Sequence, residues 1–105
     1  MRNKFWKKQT NSFAARVYTA VSRIKAGKVV TYAEVARRAG SRDAGRAVGT
    51  LMAKNRYYNV PCHRVIRSDF SIGNYSGEGG RNGKIKKLLS EGVNIKGGKV
   101  VFNNG

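Results

Sequence analysis

The segment from Thr31 to Ser41 constrains this chain more than any other part of it. Thr31-Tyr32-Ala33-Glu34 has the form of a capping box: the Thr31 hydroxyl can accept an orphan N–H, and Glu34 can reach back to the cap. The helix it opens runs to about Ala39, and Gly40 suits a left-handed terminator. Ser41 is placed to cap a second helix, about Arg42 to Lys54, with Ala44, Ala47, Val48 and Leu51 on its core face. Two short helices joined by Ala39-Gly40-Ser41 form a helix-turn-helix. Such a pair cannot bury its apolar faces alone, so further elements must cover it.

The rest of the chain supplies them. Asn11 and Ser12 are good cap types, and after them Phe13, Val17, Val21 and Ile24 share one helical face, with Gly27 as a stop. Lys28-Val29-Val30 reads as a short extended link. Residues 56–83 are rich in turn formers and read as loop. Lys84 to Ser90 is amphipathic and is expected to bury Ile85, Leu88 and Leu89. Val93-Asn94-Ile95 and Val100-Val101-Phe102 flank Lys96-Gly97-Gly98-Lys99, a hairpin signal. The expected fold is mainly α with a small β component. With 105 residues there is room for one domain, residues 12–105, behind a basic lead-in over 1–11.

Charge narrows the partner. There are 22 Lys and Arg against 5 Asp and Glu, a net +17. A surface so unbalanced repels itself, and a phosphate backbone is its natural complement. No apolar run approaches the ~20 residues that span a bilayer, so an integral membrane protein is excluded. A single cysteine rules out an internal disulfide framework and a multi-cysteine zinc site. Met1 to Lys8 is basic but lacks the apolar stretch of a signal peptide. An intracellular, reducing setting is expected: cytoplasmic in a prokaryote, nuclear in a eukaryote.

The second helix is unusual for its small residues, Ala44, Gly45, Ala47 and Gly49. Its two glycines cost about 1 kcal/mol each relative to alanine. They permit close approach, either of another helix or of a bound partner, and spacing leaves both open.

Pro61-Cys62-His63-Arg64-Val65 gathers the chain's one proline, one cysteine and one histidine. Cysteine is the best side-chain nucleophile near neutral pH once its pKa is lowered. A neighbouring histidine can take its proton directly or through a water, and Arg64 favours the thiolate. The alternative is a buried thiol beside an unrelated histidine. An oriented histidine needs an acid; with Glu34 used in capping, that leaves Asp69, Glu78 or Glu91, and spacing does not choose among them.

Pro-Cys-His-Arg-Val resembles the active-site motif of the O6-alkylguanine-DNA alkyltransferases. Four further stretches match that family in order: Gly27-Lys28-Val29-Val30-Thr31-Tyr32, Gly45-Arg46-Ala47-Val48-Gly49, Gly73-Asn74-Tyr75-Ser76-Gly77 and Ser90-Glu91-Gly92-Val93. The resemblance covers about residues 12–102. It implies the family's C-terminal DNA-binding domain, a winged-helix-like helix-turn-helix fold, without the N-terminal domain of most members.

The resemblance further implies single-turnover repair. The protein would bind duplex DNA through the minor groove, flip the damaged guanine and move its O6-alkyl group, or an alkyl on thymine O4, to cysteine. Cys62 would be the acceptor, His63 its base through a water, and Glu91 the acid that orients His63. Tyr32 would donate to the leaving guanine and crowd the backbone to promote flipping. Arg46 would enter the base stack, with Ala44, Gly45, Ala47 and Gly49 letting the helix lie deep in the groove. The Cys62 and Val65 carbonyls would hold the guanine exocyclic amine, Tyr75 would wall the pocket, and the Ser76 N–H would face O6. Asn55 matches a hinge asparagine between the recognition helix and the site. No cofactor or metal is implied; the partner is double-stranded DNA containing O6-alkylguanine, met by a monomer.

The chain departs from the family pattern in places. Arg56 follows Asn55 where proline is usual, the Arg56 to Val60 segment is one residue shorter, and Gly77 to Gly83 is longer and rich in glycine. Two other readings stand beside repair by transfer. A lesion sensor of the same family would bind O6-alkylguanine without transfer, though such proteins usually carry another residue, often Trp, at the position of Cys62. A plain helix-turn-helix regulator would explain the charge but not Pro61 to Val65. Phosphate contacts from Arg37, Arg38, Arg42 and Lys54 fit all three.

Overall fold

A computed structural model describes residues 12–57, 59–73, 75 and 77–102. Along the chain lie α1 (Phe13–Ser22), β1 (Val30–Thr31), α2 (Tyr32–Arg38), α3 (Gly45–Ala53), a 3-10 turn (Cys62–Arg64), β2 (Val65–Ile66), α4 (Gly80–Ser90), β3 (Asn94–Lys96) and β4 (Lys99–Val101). The basic lead-in, with its Asn11, falls outside the described residues.

Ser12 caps α1, its hydroxyl accepting from the Ala15 N–H at 3.0 Å. The helix ends sooner than its apolar stripe implies. Arg23 and Ile24 donate back to Ala20 and Val21, so the last turn tightens and closes before Gly27, which instead sits in the following turn at φ +88°. Ile24 is still buried, just beyond the helix.

Thr31 caps α2 as expected, accepting from the Glu34 N–H at 3.1 Å. The reciprocal half of the capping box does not form. The Glu34 carboxylate turns outward to Arg37 and Arg38, whose guanidiniums are stronger partners than a single amide. At the other end Gly40 adopts φ +90°, with Ser41 N–H bonded to Ala36 O and Gly40 N–H to Arg37 O, a complete Schellman motif.

Ser41 does not cap the next helix: its carbonyl accepts from Ala44 in a turn that delays the start of α3. Residues 41–44 form a turn, and α3 starts at Gly45 behind an Ala44 cap that has no side-chain bond. The core face of α3 is Val48 and Met52, with Ala44 and Leu51 half-buried. Ala47, expected inside, faces solvent.

The region expected to be all loop carries β2, and α4 begins at Gly80 instead of Lys84. The early start depends on Gly83: a Cβ there would stand 1.9 Å from the Glu78 carbonyl oxygen, which packs over the first turn. Leu88 and Val93 are buried and Ile85 half-buried. Leu89 is 53% exposed, contrary to expectation, and Lys84 takes the interior position beside Leu88. The C-terminal hairpin forms with each strand one residue nearer the turn than expected. Asn94 pairs with Val101 and Lys96 with Lys99, around a two-residue Gly97-Gly98 turn with both φ positive.

Two-residue strands β1 and β2 pair in parallel, Val30 opposite Val65 and Thr31 opposite Ile66. Successive strand residues point to opposite faces. Val65 therefore enters the core made by α1, α2 and α3, and Ile66 enters a second core made with Ile72, Leu88, Val93 and Val100. The short β2 is the wall between two cores, and the Cys62–Arg64 turn leads directly into it. Among the described residues no helix is long and apolar enough to cross a membrane.

Candidate active site

Pro61 opens the 3-10 turn. Its Arg64 N–H bond (2.9 Å) and the Cys62 N–H bond to Val60 O (2.8 Å) tie the turn down on both sides of the thiol. Cys62 is half-buried, and His63 only 8% exposed. The two follow one another in the turn without a hydrogen bond between sulfur and ring. A proton passing from one to the other needs an intermediary.

His63 is oriented from its far side. Its Nε2 lies 3.0 Å from Glu91 Oε2. Of the acids that spacing left open, the structure brings Glu91 to the ring. Glu91 is the residue on which α4 closes, and it also receives Arg64 in a two-pronged pair: Nε to Oε1 at 3.0 Å and Nη2 to Oε2 at 2.7 Å. The third prong, Nη1, donates to the Ile24 carbonyl at 2.8 Å. Arg64 thus fastens the Cys62–Arg64 turn to the ends of both α1 and α4. Arg64, with His63, draws the Glu91 carboxyl down to about 2. Burial draws His63 below its usual 6.5 despite Glu91, so a neutral ring is favoured at pH 7.

Sequence reasoning gave Lys84 no role in the site. It is completely buried, its Nζ donates to the Val65 carbonyl at 2.8 Å, and it lies 6.0 Å from the centre of the Tyr32 ring. Burial pushes it down to about 8, while negative charge on Cys62 would act in the opposite sense and favour the ammonium. The signal was present: 84, 88 and 91 lie at i, i+4 and i+7, so a lysine on the apolar stripe of α4 shares a face with Glu91.

A cavity of about 720 Å³ opens onto this turn. Asn55, Cys62, His63 and Tyr75 all line it. The Tyr75 ring stands edge-on to His63 at 6.5 Å and folds over Gly77, where a Cβ would meet it at 2.3 Å. Asn55 follows α3 and bonds to the chain that leads to Cys62. Its Nδ2 donates to Val60 O at 3.1 Å, and its Oδ1 accepts from Tyr57 N–H at 2.9 Å, tying the end of α3 to the strand of chain that reaches Cys62. Ser76 lies outside the described residues.

The remaining candidates fall elsewhere. Val65 has a buried side chain; its carbonyl already accepts Lys84, and the Cys62 carbonyl accepts the Val65 N–H, each with one lone pair left. Tyr32, the first residue of α2, is half-buried, and burial raises its phenol pKa. It lines a separate groove with the exposed Arg46, Gly49 and Arg67. A Cβ on Gly45 would lie 3.7 Å from the Ala33 backbone, an ordinary contact of α3 with α2, whereas Gly49 has nothing within 4 Å and Ala47 is exposed. Internal packing therefore requires glycine at neither position: Gly45 faces α2 with room for a methyl group, and Gly49 faces open space. No group of three or more potential metal ligands occurs among the described residues.

Residues 12–93 match the family model described as the 6-O-methylguanine DNA methyltransferase DNA-binding domain. The methylated-DNA–protein-cysteine methyltransferase of Rattus norvegicus is 45% identical over 87 residues, which is 81% of this chain and 41% of that protein. Its namesake in Methanothermobacter thermautotrophicus is 41% identical over 86 residues, 81% of this chain and 47% of that one. The chain thus spans under half the length of both. Among solved structures, S. pombe Atl1 in complex with damaged DNA containing O6-carboxymethylguanine gives a TM-score of 0.74 at 34% identity, covering 98% of this chain and 93% of that one. Mycobacterium tuberculosis OGT in complex with DNA gives 0.71 at 36% identity, covering 77% and 49%. On a match that runs from α1 to the end of α4 and takes in the whole Cys62 turn, the chain belongs to the 6-O-methylguanine DNA methyltransferase family, in its DNA-binding domain.

Proposed function

We propose that this protein repairs alkylated duplex DNA directly, taking the alkyl group from guanine O6 onto Cys62 once per molecule. One observation carries the reading: a half-buried thiol in an open cavity, next to a histidine whose far nitrogen is held by a carboxylate. In this reading His63 takes the thiol proton through a water, since no direct bond joins them. The thiolate sulfur attacks the alkyl carbon, a carbon–sulfur bond forms, and the bond from that carbon to O6 breaks. The electrons return to the guanine, where the Tyr32 hydroxyl supplies a hydrogen bond or proton. Lys84, buried beside the site, holds the thiolate by its charge. Arg46 and the open face of α3 at Ala47 and Gly49 enter the minor groove.

The second reading is a lesion sensor. It is favoured by the likeness to Atl1, which spans nearly all of both chains. The thiol favours transfer. Intact-protein mass spectrometry after incubation with a duplex holding one O6-methylguanine separates the two. Transfer gives a stoichiometric gain of one methyl for one hydrogen on Cys62, absent with undamaged DNA and abolished by Cys62→Ala with binding retained. Tight lesion-selective binding without a mass gain establishes the sensor. Neither modification nor lesion preference overturns both.

A further inference from the structure

The pairing of β1 with β2 puts two residues side by side that are far apart in sequence. With Thr31 opposite Ile66, the next residues, Tyr32 and Arg67, leave the two strands together. Both side chains then turn over Gly73. A Cβ on Gly73 would stand 3.4 Å from Tyr32 Oη, 3.4 Å from Arg67 Cγ and 3.5 Å from Arg67 Nε. Gly73 is buried at φ +77°, and its bare Cα is what lets the phenol and the guanidinium face one small volume.

The position of Arg67 is held at a cost. The chain after it turns tightly, with Arg67 N–H bonded to Ser71 O at 3.0 Å and Phe70 N–H to Arg67 O at 2.8 Å. Closing that turn forces Phe70 to φ +71°, a conformation that a bulky residue adopts only under strain. The Phe102 ring, 5.2 Å away, and the Asp69 carboxylate, which accepts the Ser71 N–H and hydroxyl, keep the turn closed.

Arg67 is nevertheless unspent. Arg16, Arg37, Arg38, Arg56 and Arg64 all donate to carbonyls or carboxylates. Among the described residues neither Arg67 nor Arg46 makes a side-chain hydrogen bond or ion pair. The nearby acid, Asp69, turns Oδ1 to Ser71; its charge is felt by Arg67, but the two form no ion pair. The two free guanidiniums line the same groove on α3, with Tyr32 and Gly49 between them. A planar fork without a carboxylate, pre-set on a strained turn in a basic groove, is built for phosphate.

We propose that Arg67 is a positioning residue of the DNA interface, its guanidinium taking a backbone phosphate beside the extruded nucleotide on the Tyr32 side of the α3 groove. This rests on the reading of the protein as one that binds alkylated duplex DNA. Holding that phosphate next to Tyr32 fixes the backbone where it must rotate for the base to leave the stack.

The test pairs a protein charge with a DNA charge. Cys62→Ala protein, with and without Arg67→Ala, is titrated with duplexes that hold one O6-methylguanine and one neutral methylphosphonate, moved one phosphate at a time on either side of the lesion. Lys96→Ala, on the hairpin, is the control for simple loss of charge. Arg67 is exposed and its turn is closed by backbone atoms, so the variant is expected to fold; a thermal melt checks it. With native phosphates, Arg67→Ala is expected to lower the slope of log affinity against log salt by about one. At one phosphate position the methylphosphonate weakens the Arg67 protein and leaves the Arg67→Ala protein unchanged. Equal losses in both proteins at every position, or an Arg67→Ala effect no larger than that of Lys96→Ala, overturn the proposal while leaving the function standing. Absence of DNA affinity in the parent overturns the function and the proposal together.

Discussion

His63 and Arg64, adjacent in the chain, hold the same oxygen: Glu91 Oε2 lies 3.0 Å from His63 Nε2 and 2.7 Å from Arg64 Nη2. Glu91 raises the basicity of the ring and the guanidinium offsets part of that, while burial, the largest influence, keeps the ring's pKa below its usual value. Arg64→Met removes that offset. The His63 pKa is then expected to rise, because Glu91 acts on the ring alone and the repulsion from Arg64 is gone. His63 is the one histidine of the chain, so its ring protons give a single clean NMR titration. An unmoved midpoint would show that the shared carboxylate does not set the ring. The variant also loses charge-assisted bonds to Glu91 and to the Ile24 carbonyl, and a stability loss on the order of 2–3 kcal/mol is expected.

Lys84 presents a conflict between stability and chemistry. A fully buried ammonium is costly, and an apolar chain of similar length removes that cost while giving up the bond to Val65 O. Lys84→Met is therefore expected to keep or raise the melting temperature. The same change removes the buried cation that attracts negative charge at Cys62, and the single-turnover transfer rate is expected to fall at least about tenfold at pH 7, a factor that corresponds to about 1.4 kcal/mol. A stable variant with an unchanged rate would assign Lys84 to packing alone.

Two glycines of the helices answer to different constraints. Alanine at Gly49 meets nothing within 4 Å and spares the helix the conformational freedom of glycine. Gly49→Ala should gain about 0.5–1 kcal/mol of stability and weaken duplex binding, if the open face of α3 meets the groove wall. Alanine at Gly83 would strike the Glu78 carbonyl, so Gly83→Ala should lose about 1–3 kcal/mol. Urea melts and DNA titration of both variants check the pair. A Gly49→Ala protein that binds as tightly as its parent would remove α3 from the interface.

These residues also mark what the sequence carried. Signals that act within a few residues were legible: the Ser12 and Thr31 caps and the Gly40 terminator all lie where local chemistry puts them. Signals that depend on competition were not. Ser41 is as good a cap by type as Thr31, but a turn over residues 41–44 sets the start of α3 beyond its reach. Glu34 completes a capping box only when no arginine waits one turn on. The β1–β2 pair is two residues long on each side, too short for alternation to show, and it alone sets Val65 and Ile66 in different cores and Tyr32 beside Arg67. Leu89 and Lys84 exchanged their expected places because a lysine reaching a carbonyl can occupy a core position that hydropathy assigns to leucine.

The buried groups make stability depend on pH in a stated direction. His63 titrates below its usual 6.5 in the folded protein, and Glu91 at about 2 in place of 4.5. Both folded values are depressed, so both contributions are complete above the unfolded values and are lost as pH falls, His63 from about 6.5 downward and Glu91 from about 4.5 toward 2. Lys84 is depressed as well, to about 8 from 10.5. Between those values the unfolded chain holds the proton and the folded one does not, so stability rises with pH across that window. Urea midpoints should therefore climb from pH 5 to pH 7 and again above about 8. His63→Gln should flatten the first climb, and Lys84→Met the second. A first climb that survives His63→Gln would mean that the ring is not buried as a neutral group.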